Sequence, residues 1–326
     1  MTETNTWLIT GANRGIGLEL TRQLLTIPTN IVVATCRNPN GATELRALKD
    51  VAQGTLHIVL IDVSSEGSIK NSVSTVQTAL GEGGIDVLCN NAAIIERDDA
   101  PSNVNPEVFL PTMQVNVVGP MLLYQVYLPL LEKGKKKTVI NVSSTLASIG
   151  LNHGVKSTSY SISKAALNML TYKMTKDRPE FIAIALDPGW VKTDMGGEGA
   201  QLETEFCVSH LIKLITSLKN EDSGSSSHTQ ATQSLGDYSS AVHTDFKVVP
   251  SSANHLQEMM SSSNTLPDPH HVSFCRHGAV YVRKNYTVSK YPEDSELKSK
   301  VYLLEHFERH IAVRLYEDHD YTFEYI

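Results

Sequence analysis

Short apolar runs rich in β-branched residues recur along roughly the first 200 residues: Trp7–Thr10, Ile31–Thr35, Leu56–Ile61, Val87–Asn90, Thr138–Val142 and Ile182–Leu186. They lack the strict alternation of a half-exposed strand, so each predicts a strand buried on both faces. Between them, apolar positions recur at helical spacing in Gly17–Leu25, Ile69–Leu80, Val115–Leu131 and Tyr160–Lys176. Strand and helix alternating at this interval predict an α/β fold, a doubly wound parallel sheet covered on both faces.

The pattern changes near residue 224. From Glu221 to His270 the chain holds 12 serines and few apolar residues, including the run Gly224-Ser225-Ser226-Ser227. Such a composition buries too little surface to offset the entropy of ordering, so residues 225–270 are expected to form a flexible linker. Periodicity returns near Val272. Ala279, Tyr281, Tyr286 and Val288 alternate as in a hairpin, and Val301, Leu304, Phe307, Ile311 and Leu315 stand at helical spacing within Lys298–Leu315. The expected organisation is an α/β domain over 1–224, a linker over 225–270 and a small α+β appendage over 271–326.

Composition narrows the function classes. The 326 residues are 41% hydrophobic and 19% charged, as in a soluble globular chain. A net charge of −7, with neither part basic, argues against a nucleic-acid or other polyanion binder. The longest apolar run, Met121–Leu131, contains Gln125 and Pro129 and is too short to span a membrane. The opening MTETNTWLIT has neither a basic start nor a secretory apolar core, so the expected address is the cytoplasm. Cys36, Cys89, Cys207 and Cys275 are scattered without CxxC spacing, which suits reduced thiols.

Thr10-Gly11-Ala12-Asn13-Arg14-Gly15-Ile16-Gly17 lies where the first strand passes into the first helix. Glycines there permit a tight turn and close approach of main chain to a pyrophosphate, with helix N–H groups facing it. An NAD site places a carboxylate about 20 residues beyond such a loop, to accept from the ribose 2′-hydroxyl. Here the second strand ends Ala34-Thr35-Cys36-Arg37, without an acid. Arg37, helped by Arg14, suits a 2′-phosphate, so NADP(H) is the expected cofactor. Asp62-Val63 at a third strand end can hold the adenine edge, and Asn90-Asn91-Ala92-Ala93 brings small residues to the ribose.

Tyr160 and Lys164 stand at i and i+4 on one helix face, where an ammonium beside a phenol lowers its pKa. Upstream, Asn141-Val142-Ser143-Ser144 ends a strand, and so does Asp187-Pro188-Gly189-Trp190-Val191-Lys192-Thr193 downstream. In this order, TGxxxGxG, NNA, Asn116, a serine before YxxxK, and PGxVxT closely resemble the short-chain dehydrogenase/reductase family. Within it, TGANRGIG and PGWVKTDMGG look most like NADPH-dependent carbonyl reductases of the C-factor and sniffer type.

The resemblance implies that Tyr160 protonates a carbonyl oxygen as hydride arrives from the nicotinamide, while Lys164 holds the ribose hydroxyls. It implies that Ser144 bonds the substrate carbonyl and Asn116 bends its helix to house a relay water. Pro188, Gly189, Val191 and Thr193 would contact the nicotinamide end. The substrate would be a small carbonyl compound, and relatives occur as homodimers, through the two long helices, or as monomers. Three departures stand out. Ser144 lies 16 positions before Tyr160, wider than usual, so Ser143 stays a rival. Ala93 replaces the last glycine of NNAG. Ser225-Ser226-Ser227-His228 stands where the family has its last strand, so that strand is expected to be missing. Gly196, Gly197 and Gly199, with acids among them, predict a mobile lid between Met195 and His210.

Residues 271–326 resemble part of a polo box, through VYVRKNYTVSKYP and KSKVYLLEHFER. The opening strands and a second box are missing, so phosphopeptide binding is not expected. His270, His271, His277 and Cys275, with His306 and His310, have spacing that can bind zinc, but no set of four ligands is complete and no metal is expected. Beside the reductase reading stands a second, a non-catalytic scaffold or fused gene product carrying a degenerate reductase domain and a truncated polo-box tail.

Overall fold

The computed structural model describes residues 5–224 with their side chains and, beyond them, only the backbone of short strands between 226 and 325. The chain divides into two units, Met1–Asp245 and Phe246–Ile326.

In the first unit, β1 (Thr6–Thr10), β2 (Ile31–Cys36), β3 (Thr55–Leu60), β4 (Val87–Asn90), β5 (Thr138–Val142), β6 (Ile182–Asp187) and β7 (Ser226–His228) form one parallel sheet ordered β3-β2-β1-β4-β5-β6-β7. Every residue of β1, β4, β5 and β6 is buried, as their uninterrupted apolar runs predict for strands covered on both faces. Successive residues face opposite layers. Trp7 and Ile9 pack with Leu20 and Leu24 of α1 (Gly15–Leu24) and Leu211 and Ile215 of α7 (Thr204–Ser217). Leu8 packs on the other side with Ile69 and Val76 of α3 (Glu66–Leu80), Leu123 and Tyr127 of α5 (Gly119–Lys133) and Met174 of α6 (Thr158–Asp177). Two shorter helices, α2 (Thr43–Ala47) and α4 (Pro106–Met113), complete the unit.

Helix boundaries follow local chemistry. Ser65 caps α3 by accepting from Ser68 N, and Gly81, at φ 58°, ends it. Asn105 caps α4, with Pro106 in the first turn where its missing N–H costs no bond. The single helix expected over Val115–Leu131 is instead divided: α4 runs through a π-helical turn, Gln114–Val118, into α5.

Three expectations are corrected. The last strand is not missing, because Ser226–His228 pairs with β6 in the register Ala185↔Ser226, Leu186↔Ser227, Asp187↔His228. An edge strand is held by main-chain bonds that a serine forms as well as a valine, and the chain is led in by Gly224 N donating to Ala183 O at 2.8 Å. The lid is shorter than the span from Met195 to His210, since α7 begins at Thr204 and Val191 bridges Leu202.

The third correction lies in the second unit. No helix spans Lys298–Leu315; Ser299–His306 and Arg309–Tyr316 pair as antiparallel strands, flanked by Thr287–Lys290 and Tyr321–Tyr325. Ile311, Val313 and Leu315 also repeat at two-residue spacing, and that period prevails over the helical one. Nor do the stretches around Ala279 and Val288 pair with each other: Ala279–Val280 pairs with Phe274–Cys275, and Thr287–Lys290 with Ser299–His306. The expected linker beyond His228, and the side chains behind the polo-box resemblance and the histidine spacing, lie outside the described residues.

Among the described residues no helix is long and apolar enough to cross a membrane, and no three potential metal ligands gather.

Candidate active site

The strand order reverses between β1 and β4, which opens a crevice beyond their carboxyl ends. Thr10 ties the two together, its hydroxyl accepting from Asn91 N and Ala92 N at 3.0 Å each. The loop that follows turns through Gly11 at φ 65°, where a β-carbon would lie 3.0 Å from Ala92 Cα. At Gly17 a β-carbon would lie 2.4 Å from Gly11 O, so no other residue fits without moving the loop.

Asn13 and Arg14 are exposed beside this turn, and Gly15 and Ile16 open α1, whose first N–H groups face the crevice end. Thr193 closes on the same loop, its Cγ2 3.2 Å from the β-carbon position of Gly15. Arg14 does not reach toward Arg37; it pairs with Asp194 at 3.2 Å, an exposed contact of small energy. Arg37 is exposed at the end of β2 without an ion pair among the described residues. The Asp62 carboxylate accepts from Ser64 N at 2.9 Å and Ser64 Oγ at 2.6 Å, and Val63 is buried beside it with its carbonyl against Gly119. Asn90 belongs to a buried network: its Nδ2 donates to Asn141 Oδ1 at 2.8 Å, and Asn141 Nδ2 to Thr171 Oγ1 at 2.8 Å. Ala92 is half-buried next to it.

The second cluster joins β5, β6, α6 and the π-turn. Tyr160 is buried, and Ser144 is the serine whose hydroxyl acts on its phenol. Ser143 turns away, 2.5 Å from Asn168 Oδ1, so of the two serines Ser144 is the one brought to Tyr160. Lys164 lies 5.4 Å from the Tyr160 ring centroid and donates to Val142 O at 2.7 Å. Asn116 sits fully buried in the π-turn, where its amide donates to Ile94 O at 2.9 Å and Ser163 Oγ at 3.0 Å and its oxygen accepts from Ile94 N at 2.9 Å. The wider turn directs Asn116 across to the β4 loop, the kind of insertion found at functional sites.

The electrostatics differ from the sequence expectation in one respect. The phenol of Tyr160 is not lowered. Burial raises its pKa, the Asp187 charge adds to this, and the Ser144 bond and the Arg97 charge oppose it. Burial pushes Lys164 down to about 7, with Asp187 working the other way. Desolvation of two groups inside the fold outweighs their mutual proximity.

Asp187 thus acts on both residues, while accepting from Thr145 N at 3.2 Å and Gly189 N at 2.9 Å. Its signal in the sequence was an acid ending a buried strand. Beyond it, Pro188 O accepts from the buried Cys207 thiol at 3.2 Å, Gly189 turns at φ 81°, and Val191 is buried.

Asp99 had no local signal. It is buried, and its Oδ2 accepts from Ser159 N at 2.9 Å and from the Ser159 hydroxyl, while its carbonyl accepts from Thr158 N. A residue 60 positions away thereby caps α6 one residue before Tyr160, where Ser157 gives no side-chain cap of its own. Asp99→Ala is expected to cost about 1 kcal/mol, the usual loss for a cap, and to lower turnover through a displaced Tyr160. Asp99→Asn, which keeps an acceptor, should retain most of both. Thermal melts and steady-state rates on the two variants check this; equal loss in both would show that the charge, not the cap, matters.

The short chain dehydrogenase family model matches residues 5–203, and the chain belongs to that family. An uncharacterized oxidoreductase of Schizosaccharomyces pombe is 31% identical over 237 residues, spanning 67% of this chain and 92% of the relative. The NADPH-bound carbonyl reductase from chicken fatty liver superposes with a TM-score of 0.65 at 35% identity, covering 70% of this chain and 93% of its own. Carbonyl reductase Sniffer of D. melanogaster does so with a TM-score of 0.66 at 34% identity, covering 69% and 97%.

Proposed function

We propose that this chain is an NADPH-dependent carbonyl reductase that converts a small ketone or aldehyde to the alcohol in the cytoplasm. The observation that carries the reading is the buried Tyr160 with Lys164 Nζ 5.4 Å from its ring centroid, beside Ser144 at the end of β5. The reductase unit is assigned to 1–228, because Ser226–His228 completes its sheet.

The residues at the crevice fit a dinucleotide. The tight turn that Gly11 and Gly17 permit sets the start of α1 directly after β1, where helix N–H groups suit a pyrophosphate. Lys164 is fully buried with three donors and gives one to Val142 O, which leaves two for ribose hydroxyls. Arg37, exposed and without an ion pair among the described residues, suits the 2′-phosphate. When bound, NADPH supplies hydride to the carbonyl carbon. Tyr160, kept protonated by burial, donates its proton to the carbonyl oxygen, and Ser144 holds that oxygen by a hydrogen bond. Asn116, fixed by Ile94 and Ser163, supports the helix face from which Tyr160 acts.

A fluorescence titration of the full chain with NADPH and NADH tests the cofactor. NADPH is expected to bind more tightly by about tenfold or more, the worth of a charge-assisted bond to phosphate. Arg37→Ala should remove most of that preference. Tighter binding of NADH would overturn the role given to Arg37.

A further inference from the structure

The loop after β4 carries an arginine whose position is set by the helix of Tyr160. Arg97 O accepts from Ser157 N at 3.1 Å and from Ser157 Oγ at 3.2 Å, next to Asp99 and its grip on Ser159. The side chain then crosses to the segment that follows β6. Its Nη2 donates to Met195 O, and the guanidinium lies 3.5 Å from the β-carbon position of Gly197. Arg97 therefore bridges the start of α6 and the lid.

Three nearby carboxylates bond other groups. Glu96 accepts from the main-chain N–H groups of Arg97 and Asp98 at 2.8 and 3.2 Å. Asp98 pairs with Lys156 at 2.8 Å, and Asp194 with Arg14 at 3.2 Å. Arg97 has no carboxylate partner among the described residues, and of its five N–H donors one is given, to a neutral carbonyl. Its charge nevertheless reaches the reacting centre, where it is one of the influences that favour the ionised form of Tyr160. An exposed arginine with a fixed main chain, a free planar donor edge and no carboxylate bonded to its side chain among the described residues can take a carboxylate in two parallel bonds.

We propose that Arg97 binds a carboxylate borne by the carbonyl substrate, making this a reductase of oxo-acids or formyl-acids rather than of neutral carbonyls. This deepens the carbonyl-reductase reading and rests on it.

The test compares benzaldehyde with 4-carboxybenzaldehyde, using full-length chain and NADPH. Wild type is expected to favour the acid by about tenfold or more in kcat/KM, the worth of a bond to a charged group. Arg97→Gln should abolish the ratio, and Arg97→Lys should keep part of it, since Lys retains the charge but not the planar fork. The melting temperature and NADPH titration of each variant report that the fold is intact. In parallel, calorimetry of the NADP-loaded protein with 4-(hydroxymethyl)benzoate and benzyl alcohol reads the same preference without turnover. Equal handling of acid and neutral compound by wild type, or a preference that survives in Arg97→Gln, overturns the proposal. If neither aldehyde is reduced but the benzoate binds only with Arg97 present, the anion site stands and the reductase reading falls.

Discussion

Tyr160→Phe is expected to lower kcat for carbonyl reduction by about a thousandfold, within the usual range for a lost general acid. The substitution removes one oxygen from a buried ring and leaves its packing in place, so the fold should be unaffected. NADPH affinity should weaken by no more than about fivefold, the worth of one neutral hydrogen bond. The pH profile carries the same information. Burial and the Asp187 charge hold the phenol above its ordinary value, so the proton needed for reduction is present throughout the neutral range. Reduction by the wild type should therefore show no alkaline fall from this group between pH 6 and 9, whereas the reverse oxidation, which needs the phenolate, should rise with pH. A phenylalanine variant that turned over at the wild-type rate would remove Tyr160 from the mechanism.

Lys164→Met is expected to give a more stable protein that scarcely works. Lys164 is fully buried and its pKa falls from 10.5 to about 7 on folding. Below pH 7 both folded and unfolded chains hold the proton, and the folded state bears the whole cost of a buried ammonium. Between about 7 and 10.5 the unfolded chain holds more protons, so the stability of the cofactor-free wild type rises with pH, by up to about 1.4 kcal/mol per unit. Methionine is of similar length and needs no partner, so the variant should lack this slope and gain about 1–4 kcal/mol at pH 7, as when buried charges give way to apolar groups. The loss of the bond to Val142 O offsets roughly 1 kcal/mol of that. Turnover should fall at least a hundredfold, because no cation remains beside the phenol and the ribose site. Melting temperatures of both proteins from pH 6 to 9, without cofactor, decide the point: a wild type whose stability does not rise with pH would mean that Lys164 is solvated or paired differently.

The parts of this molecule legible in its sequence are those whose physics is local. β1, β4, β5 and β6 stand out as apolar runs because strands inside a parallel sheet covered by helices offer no face to water, whereas β3, at the sheet edge and expected to be buried, leaves Thr55 and Leu60 exposed. The turn at Gly11 and Gly17 is legible because main-chain crowding there excludes a β-carbon. Tyr160 and Lys164 are legible because i and i+4 share a helix face.

Where two local patterns coexist, the sequence is silent or misleading. Leu304, Ile311 and Leu315 fit a helix, yet Ile311, Val313 and Leu315 fit a strand, and pairing with Ser299–His306 decides between them. Ser226–His228 gives no strand signal at all, because an edge strand needs only main-chain groups and a neighbour to receive them.

Partnerships across the chain have no local signature. Ser143 and Ser144 are equivalent as neighbours; Asn168, 25 residues on, engages the first and leaves the second beside Tyr160. Asp99 caps a helix 60 residues away, and Arg97 reaches a carbonyl 98 residues away. The spacing of residues along the chain names the class of chemistry, since motif and secondary structure share a period. Which charge is buried, which serine faces Tyr160 and which arginine has no carboxylate bonded to its side chain depend on desolvation and on contacts between distant segments. Those arise only when the sheet brings the ends of β1, β4, β5 and β6 together.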